Sequence, residues 1–104
     1  MSQRVRGSST GRPIMVALDL LGRRWALRVL WELRDGPLGA RELRERCDRM
    51  STSVLYERLR ELTAAQLVRR TEDDRYELTR HGATLGAAIA PLDAWARKWV
   101  SATR

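Results

Sequence analysis

The chain has no phenylalanine, one cysteine, one histidine and one lysine in 104 residues. The single cysteine, Cys47, excludes an intramolecular disulfide framework and a cysteine-built zinc site. His81 has no Cys, Asp or Glu cluster at ligand spacing, so a surface residue is expected there and neither metal nor cofactor is expected. No apolar run approaches the roughly 18 residues needed to cross a bilayer. The acidic residues Glu57, Glu61, Asp73 and Asp74 have no nucleophile, companion histidine or Gly-rich phosphate loop to work with. They read as solvated charges, and an enzyme is not expected. The N-terminus is basic and rich in Ser and Gly with no long apolar core behind it, so it is not a signal peptide and a cytoplasmic protein is expected.

What the chain does have is positive charge. The formal net charge is +7 and the pI about 11.1. All of the basic side chains except Lys98 are arginine. That excess points to a polyanion, either nucleic acid or an anionic membrane surface, and arginine favours bidentate phosphate and guanine contacts. A GC-rich genome explains the choice of Arg over Lys but explains the net charge less well. The length fits one domain with a modest core.

Residues 1–12 read as a flexible basic tail, and 13–104 as one folded unit. Pro13 suits a first helical position, and Ile14, Ala17, Leu18 and Leu21 make one apolar face that stops at Gly22. A second helix is expected over about 23–34, apolar over most of its circumference and ended by Gly36-Pro37. A short third helix, 40–47, places Ala40, Leu43 and Cys47 together. Asp48-Arg49 makes a turn, and Ser51 caps a fourth helix over about 52–65 with Leu55, Leu59 and Leu62 inward. The period then changes to that of a small hairpin, with strands near 67–71 and 75–78 around the acidic turn Glu72-Asp73-Asp74. Thr79 caps a long last helix whose stripe ends in Leu92, Trp95 and Trp99. Pro91 lies inside it, so a bend or break into two helices is expected.

The order is mostly helical with one β-hairpin: helix, helix, helix–turn–helix, hairpin, helix. This is a winged helix-turn-helix, in which the second helix of the pair can enter a major groove and the hairpin can lie along the backbone as a wing. With the leucines inward, Ser53, Tyr56, Glu57 and Arg60 face outward. Arg60 can pair with a guanine edge or a phosphate, Glu57 can accept from cytosine, and Tyr56 can reach a phosphate or a thymine methyl. Ser51, Thr52 and Ser53 sit at the helix N-terminus, which favours phosphate. Arg58 reads either as a phosphate clamp or as an internal salt-bridge partner. Arg69, Arg70 and Arg75 are the wing candidates.

Several segments then align with a family: Pro13 to Trp25 (P-I-M-V-A-L-D-L-L-G-R-R-W), Leu33 to Pro37 (L-R-D-G-P), Glu42-Leu43-Arg44, Leu55 to Leu62 (L-Y-E-R-L-R-E-L), Leu67-Val68, and Leu78-Thr79 followed by Gly82. Over about residues 12–99 the chain resembles the HxlR group of MarR-like winged-helix transcription regulators. The resemblance implies a homodimer on a pseudo-palindromic double-stranded operator, reading by the fourth helix, backbone contact by the wing, and terminal helices paired across the two-fold axis. Ile14, Leu18, Leu92, Trp95 and Trp99 are the expected interface residues. Three features depart from the family. Arg12 stands where many members carry a redox-sensing Cys before the first-helix Pro, the wing is short and acid-tipped, and Asp48-Arg49 replaces a common Pro-Gly turn. Cys47 falls where the family usually has Leu and is expected to be a buried structural thiol rather than a sensor.

Trp25, Trp31, Trp95 and Trp99 either fill the core and the dimer interface or line a pocket for a flat aromatic effector. The leading expectation is a DNA-binding repressor, with effector release as a variant. The alternative is a winged-helix protein-interaction module without sequence-specific DNA binding.

Overall fold

A computed structural model describes residues 11–104, so all but the last two residues of the expected basic tail lie outside the described residues. The elements are α1 (Pro13–Leu21), α2 (Ala26–Glu32), α3 (Ala40–Arg46), α4 (Thr52–Ala64), β1 (Val68–Arg70), β2 (Tyr76–Leu78) and α5 (Arg80–Thr103). The core gathers the inward faces of α2, α3 and α4 with the root of the hairpin. Val29, Leu30, Leu33, Leu43, Cys47, Leu55, Leu59, Leu62 and Val68 are almost fully buried. Each such aliphatic side chain removed from water stabilises the fold by about 1.5–3 kcal/mol before entropy is counted.

Two expectations about helix limits change. Helix α2 begins at Ala26 rather than near Arg23, because Trp25 takes a left-handed backbone with φ 77° and breaks the helical hydrogen-bond series at the α1–α2 elbow. Helix α5 runs without interruption through Pro91, so the expected break into two helices does not occur. Pro91 and its neighbours Ala90 and Leu92 are solvent-exposed, so water can take up the carbonyl that a proline leaves without a donor.

The hairpin pairs Val68 with Leu78, Arg69 with Glu77 and Arg70 with Tyr76, antiparallel. A third piece of backbone joins it: Leu38 exchanges both hydrogen bonds with Tyr76, at 3.0 and 2.8 Å. This bridge ties the loop before α3 to the wing. At the hairpin base, the Thr79 N–H donates to the Leu67 carbonyl and the Thr79 hydroxyl donates to that of Gln66. A Cβ on Gly82 would lie 2.1 Å from the Leu67 carbonyl oxygen, so only glycine lets α5 start this close to β1.

Candidate nucleic-acid interface

Helices α3 and α4 form the helix–turn–helix. The turn is costly for the chain: Asp48 and Arg49 are both left-handed, with φ 56° and 58°. Polar bonds hold it. Arg28 on α2 pairs with Glu32 at 2.9 Å and with Asp48 at 3.1 Å, and donates to the Arg46 carbonyl at 2.6 Å. The hydrogen bond to Glu32 leads in raising the Arg28 pKa further above its ordinary value. Arg44 donates through Nε to the Met50 carbonyl at 2.7 Å. Cys47 plugs the turn from inside, and burial pushes its thiol up to about 11. A thiol so placed is a packing residue.

Ser51 caps α4, its hydroxyl accepting from the Val54 N–H. Leu55, Leu59 and Leu62 face the core, which turns Thr52, Ser53, Tyr56, Glu57 and Arg60 to solvent. The Arg60 side chain makes no hydrogen bond or ion pair with any described residue, and neither does that of Arg41 at the start of α3. Arg41, Arg44, Thr52 and Tyr56 surround a notch of about 240 Å³ between the two helix N-termini. A groove of about 420 Å³ runs between α4 and the wing, lined by Tyr56, Arg60, Thr63, Arg70 and Tyr76 among others. The place of Arg41 and Arg44 beside α4 is not legible from helical period alone. An unburied arginine at the first turn of α3 was the available signal.

Arg58 does not share that face. Its side chain is only 14% exposed, donates to the Arg24 carbonyl at 2.8 Å and pairs with Glu61 at 3.0 Å. Of the two readings open from sequence, the internal partner is the one the geometry matches, and a phosphate clamp is not. The wing arginines are engaged as well. Arg69 pairs with Glu77, Arg70 with Asp74, and Arg75 with Asp73 at 3.2 Å. The hydrogen bond that Thr71 donates leads in holding the Asp73 carboxyl below the usual range, and the one that Arg70 donates to Asp74 leads in raising Arg70.

The tryptophans do not converge on one pocket. Trp25 is half-buried with the Arg24 guanidinium 5.9 Å from its ring centroid, and Arg34 stacks on Trp31 at 4.0 Å. Trp95 and Trp99 stack on each other at 5.3 Å and are 57% and 54% exposed. A cleft of about 580 Å³ has no tryptophan in its lining. It lies between α1 and the start of α5 and is lined by Val16, Ala17, Leu20, Leu67, His81 and Leu85, with others. Ile14, Leu18 and Leu92 are exposed along with Trp95 and Trp99. No described helix is long and apolar enough to cross a membrane.

A capped, leucine-anchored helix behind a short helix, followed by a hairpin, defines a winged helix-turn-helix. The family model for the HxlR-like helix-turn-helix matches residues 20–104, and the chain belongs to that family of DNA-binding transcription regulators. It is not an enzyme. The HTH-type transcriptional regulator YodB of Bacillus subtilis is 35% identical over 86 residues, 77% of each chain. A quinone-bound structure of YodB superposes with a TM-score of 0.74 over 82% of this chain and 94% of that one. YvaP of the same organism, an HTH-type transcriptional regulator, is 29% identical over 81% of this chain and 83% of its own. An HxlR family structure from Thermoplasma volcanium shares the fold at TM-score 0.77 with 22% identity, covering 86% of this chain and 85% of that one.

Proposed function

We propose that the chain acts as a cytoplasmic, homodimeric repressor that reads a pseudo-palindromic operator with α4 in the major groove. The observation that carries this reading is the outward face of α4. Ser53, Tyr56, Glu57 and the unpaired Arg60 stand on a helix whose other face is locked into the core. Ser51, Thr52, Arg41 and Arg44 take flanking phosphates, and Arg70 lines the same groove from the wing side. Dimerisation covers Ile14, Leu18, Leu92, Trp95 and Trp99, whose exposure in the single chain is high for large apolar side chains.

Selection of bound duplexes from a random pool at physiological salt tests the proposal. A palindromic motif with half-site centres about 10 base pairs apart is expected. Recovery of no motif sinks it. Sedimentation tests the dimer: a species of twice 12.0 kDa is expected.

Repression is relieved, in this reading, by a flat aromatic molecule in the cleft between α1 and α5. Its volume lies in the usual range for ligand sites, and it lies beside the helix assigned to the dimer. The quinone-bound structure of YodB supports this class of ligand. Calorimetric titration with simple quinones, alongside release from the selected duplex, is the check. Heat without release counts against an effector role.

A further inference from the structure

The flank of α4, between its leucine face and the proposed DNA surface, carries a polar tie to the α1–α2 elbow, and Arg58 on that flank also pairs with Glu57 at 3.4 Å. Glu61 receives Arg23 on one carboxylate oxygen and Arg58 on the other, each at 3.0 Å. Arg58 also donates to the carbonyl of Arg24, the residue just before the left-handed Trp25. One carboxylate thus joins the elbow to α4 at two points. The three side chains are between 14% and 32% exposed, so the pairs are partly shielded from water and screened less than surface pairs.

The leucine stripe of α4 holds the helix in the core by close packing, which leaves small rotations and shifts about its axis as the softest displacements. Hydrogen bonds to a bidentate carboxylate are directional. Two further atoms mark the elbow. Arg23 Nε and Asp19 Oδ2 are buried without partners, and Asp19 lies on α1, four residues before Arg23. Arg23 therefore stands between the first helix and the recognition helix with one donor engaged and one idle.

We propose that Glu61 is a positioning residue: through Arg23 and Arg58 it fixes the rotation and axial placement of α4 against the α1–α2 elbow, and so sets the spacing at which two recognition helices meet DNA. This rests on the DNA-binding reading above and adds to it a residue that touches no base. A shift of α1 reaches α4 through this tie.

The test compares the full-length chain with Glu61→Gln, Arg58→Met and the double variant. Each is measured on the selected operator, on operators with the half-sites moved by one base pair, and on a random duplex at the same salt. Glu61→Gln is expected to bind the operator about tenfold more weakly, the loss of roughly one charged hydrogen bond. Random-duplex affinity should not fall, since removing one carboxylate leaves phosphate neutralisation equal or greater. Discrimination between spacings should flatten. The double variant should be no worse than the weaker single variant, because both remove the same tie. Equal losses on operator and random duplex, or unchanged spacing preference, overturn the proposal.

Amide exchange of α4 without DNA is the second arm, so that failure of the DNA reading is seen separately. Faster exchange over residues 57–64 in Glu61→Gln, with that of α3 unchanged, supports the tie. Identical exchange in both helices refutes it, whatever the DNA result.

Discussion

Helix α4 and the wing lie side by side along one groove, yet their charges are organised in opposite ways. On α4 the outward arginine, Arg60, has no partner among the described residues, and the one paired arginine, Arg58, is turned inward. On the hairpin every arginine is matched: Arg69, Arg70 and Arg75 each hold a carboxylate, and Glu72 adds a further negative charge at the tip. The first element leaves one guanidinium, Arg60, unengaged. The second must break its own pairs before it can offer one. A basic residue count therefore overstates what the wing brings to a polyanion.

The contrast can be pressed hardest at two adjacent positions of α4. Leu59→Ala should destabilise the fold by about 2–5 kcal/mol in denaturant unfolding, since the site is closed on every side. Arg60→Ala next to it should leave unfolding unchanged and weaken operator binding about tenfold or more, the value of a good base or phosphate contact. Equal stability losses at both positions would erase the distinction between the faces.

On the wing, Arg75→Ala should weaken operator binding by less than about threefold, because its charge is already neutralised. Asp73→Asn should do the opposite, freeing Arg75 and steepening the salt dependence of duplex affinity by about 0.9 in log–log slope. The folded pKa of Asp73 is depressed, so its contribution is present above the ordinary carboxylate pKa and is lost as pH falls through the lower folded value. Its pairing should accordingly persist at mildly acid pH, visible as an unchanged salt slope there.

The smallest effect concerns the turn that presents α4. Cys47 should resist alkylation near neutral pH until denaturant is added. Its folded pKa is raised from 9.0 to about 11, so the contribution of the neutral thiol is complete below about 9 and falls as pH rises towards 11. Alkaline melting curves read this directly.

The sequence displayed the parts of this arrangement that depend on local pattern. The Ser51 cap, the leucine stripe and the outward set on α4 follow from one helical period, and all are where that period puts them. The hairpin likewise follows from the acidic turn between two short alternating runs. What stayed hidden depends on partners distant in the chain. Arg58 turns inward because the Arg24 carbonyl lies 34 residues back, and the Leu38–Tyr76 bridge joins segments 38 residues apart. Trp25 adopts a backbone that no tryptophan advertises, so α2 starts later than the apolar pattern implies. The four tryptophans suggested a shared pocket by their rarity alone, whereas the fold spreads them over the elbow, the far end of α2 and the end of α5.

The weld at Gly82 has a mechanical meaning. Because α5 begins in direct backbone contact with the root of the hairpin, the two form a lever with its fulcrum there, a short arm carrying the wing and a long arm, within a helix of 24 residues, carrying Trp95 and Trp99. The helix is about 36 Å long, so a pivot of about 5° at the weld sweeps its far end through roughly 3 Å while the hairpin barely shifts. Gearing of that kind lets the two ends of the molecule be adjusted on different scales: coarse travel at the tryptophans, fine trim at the wing.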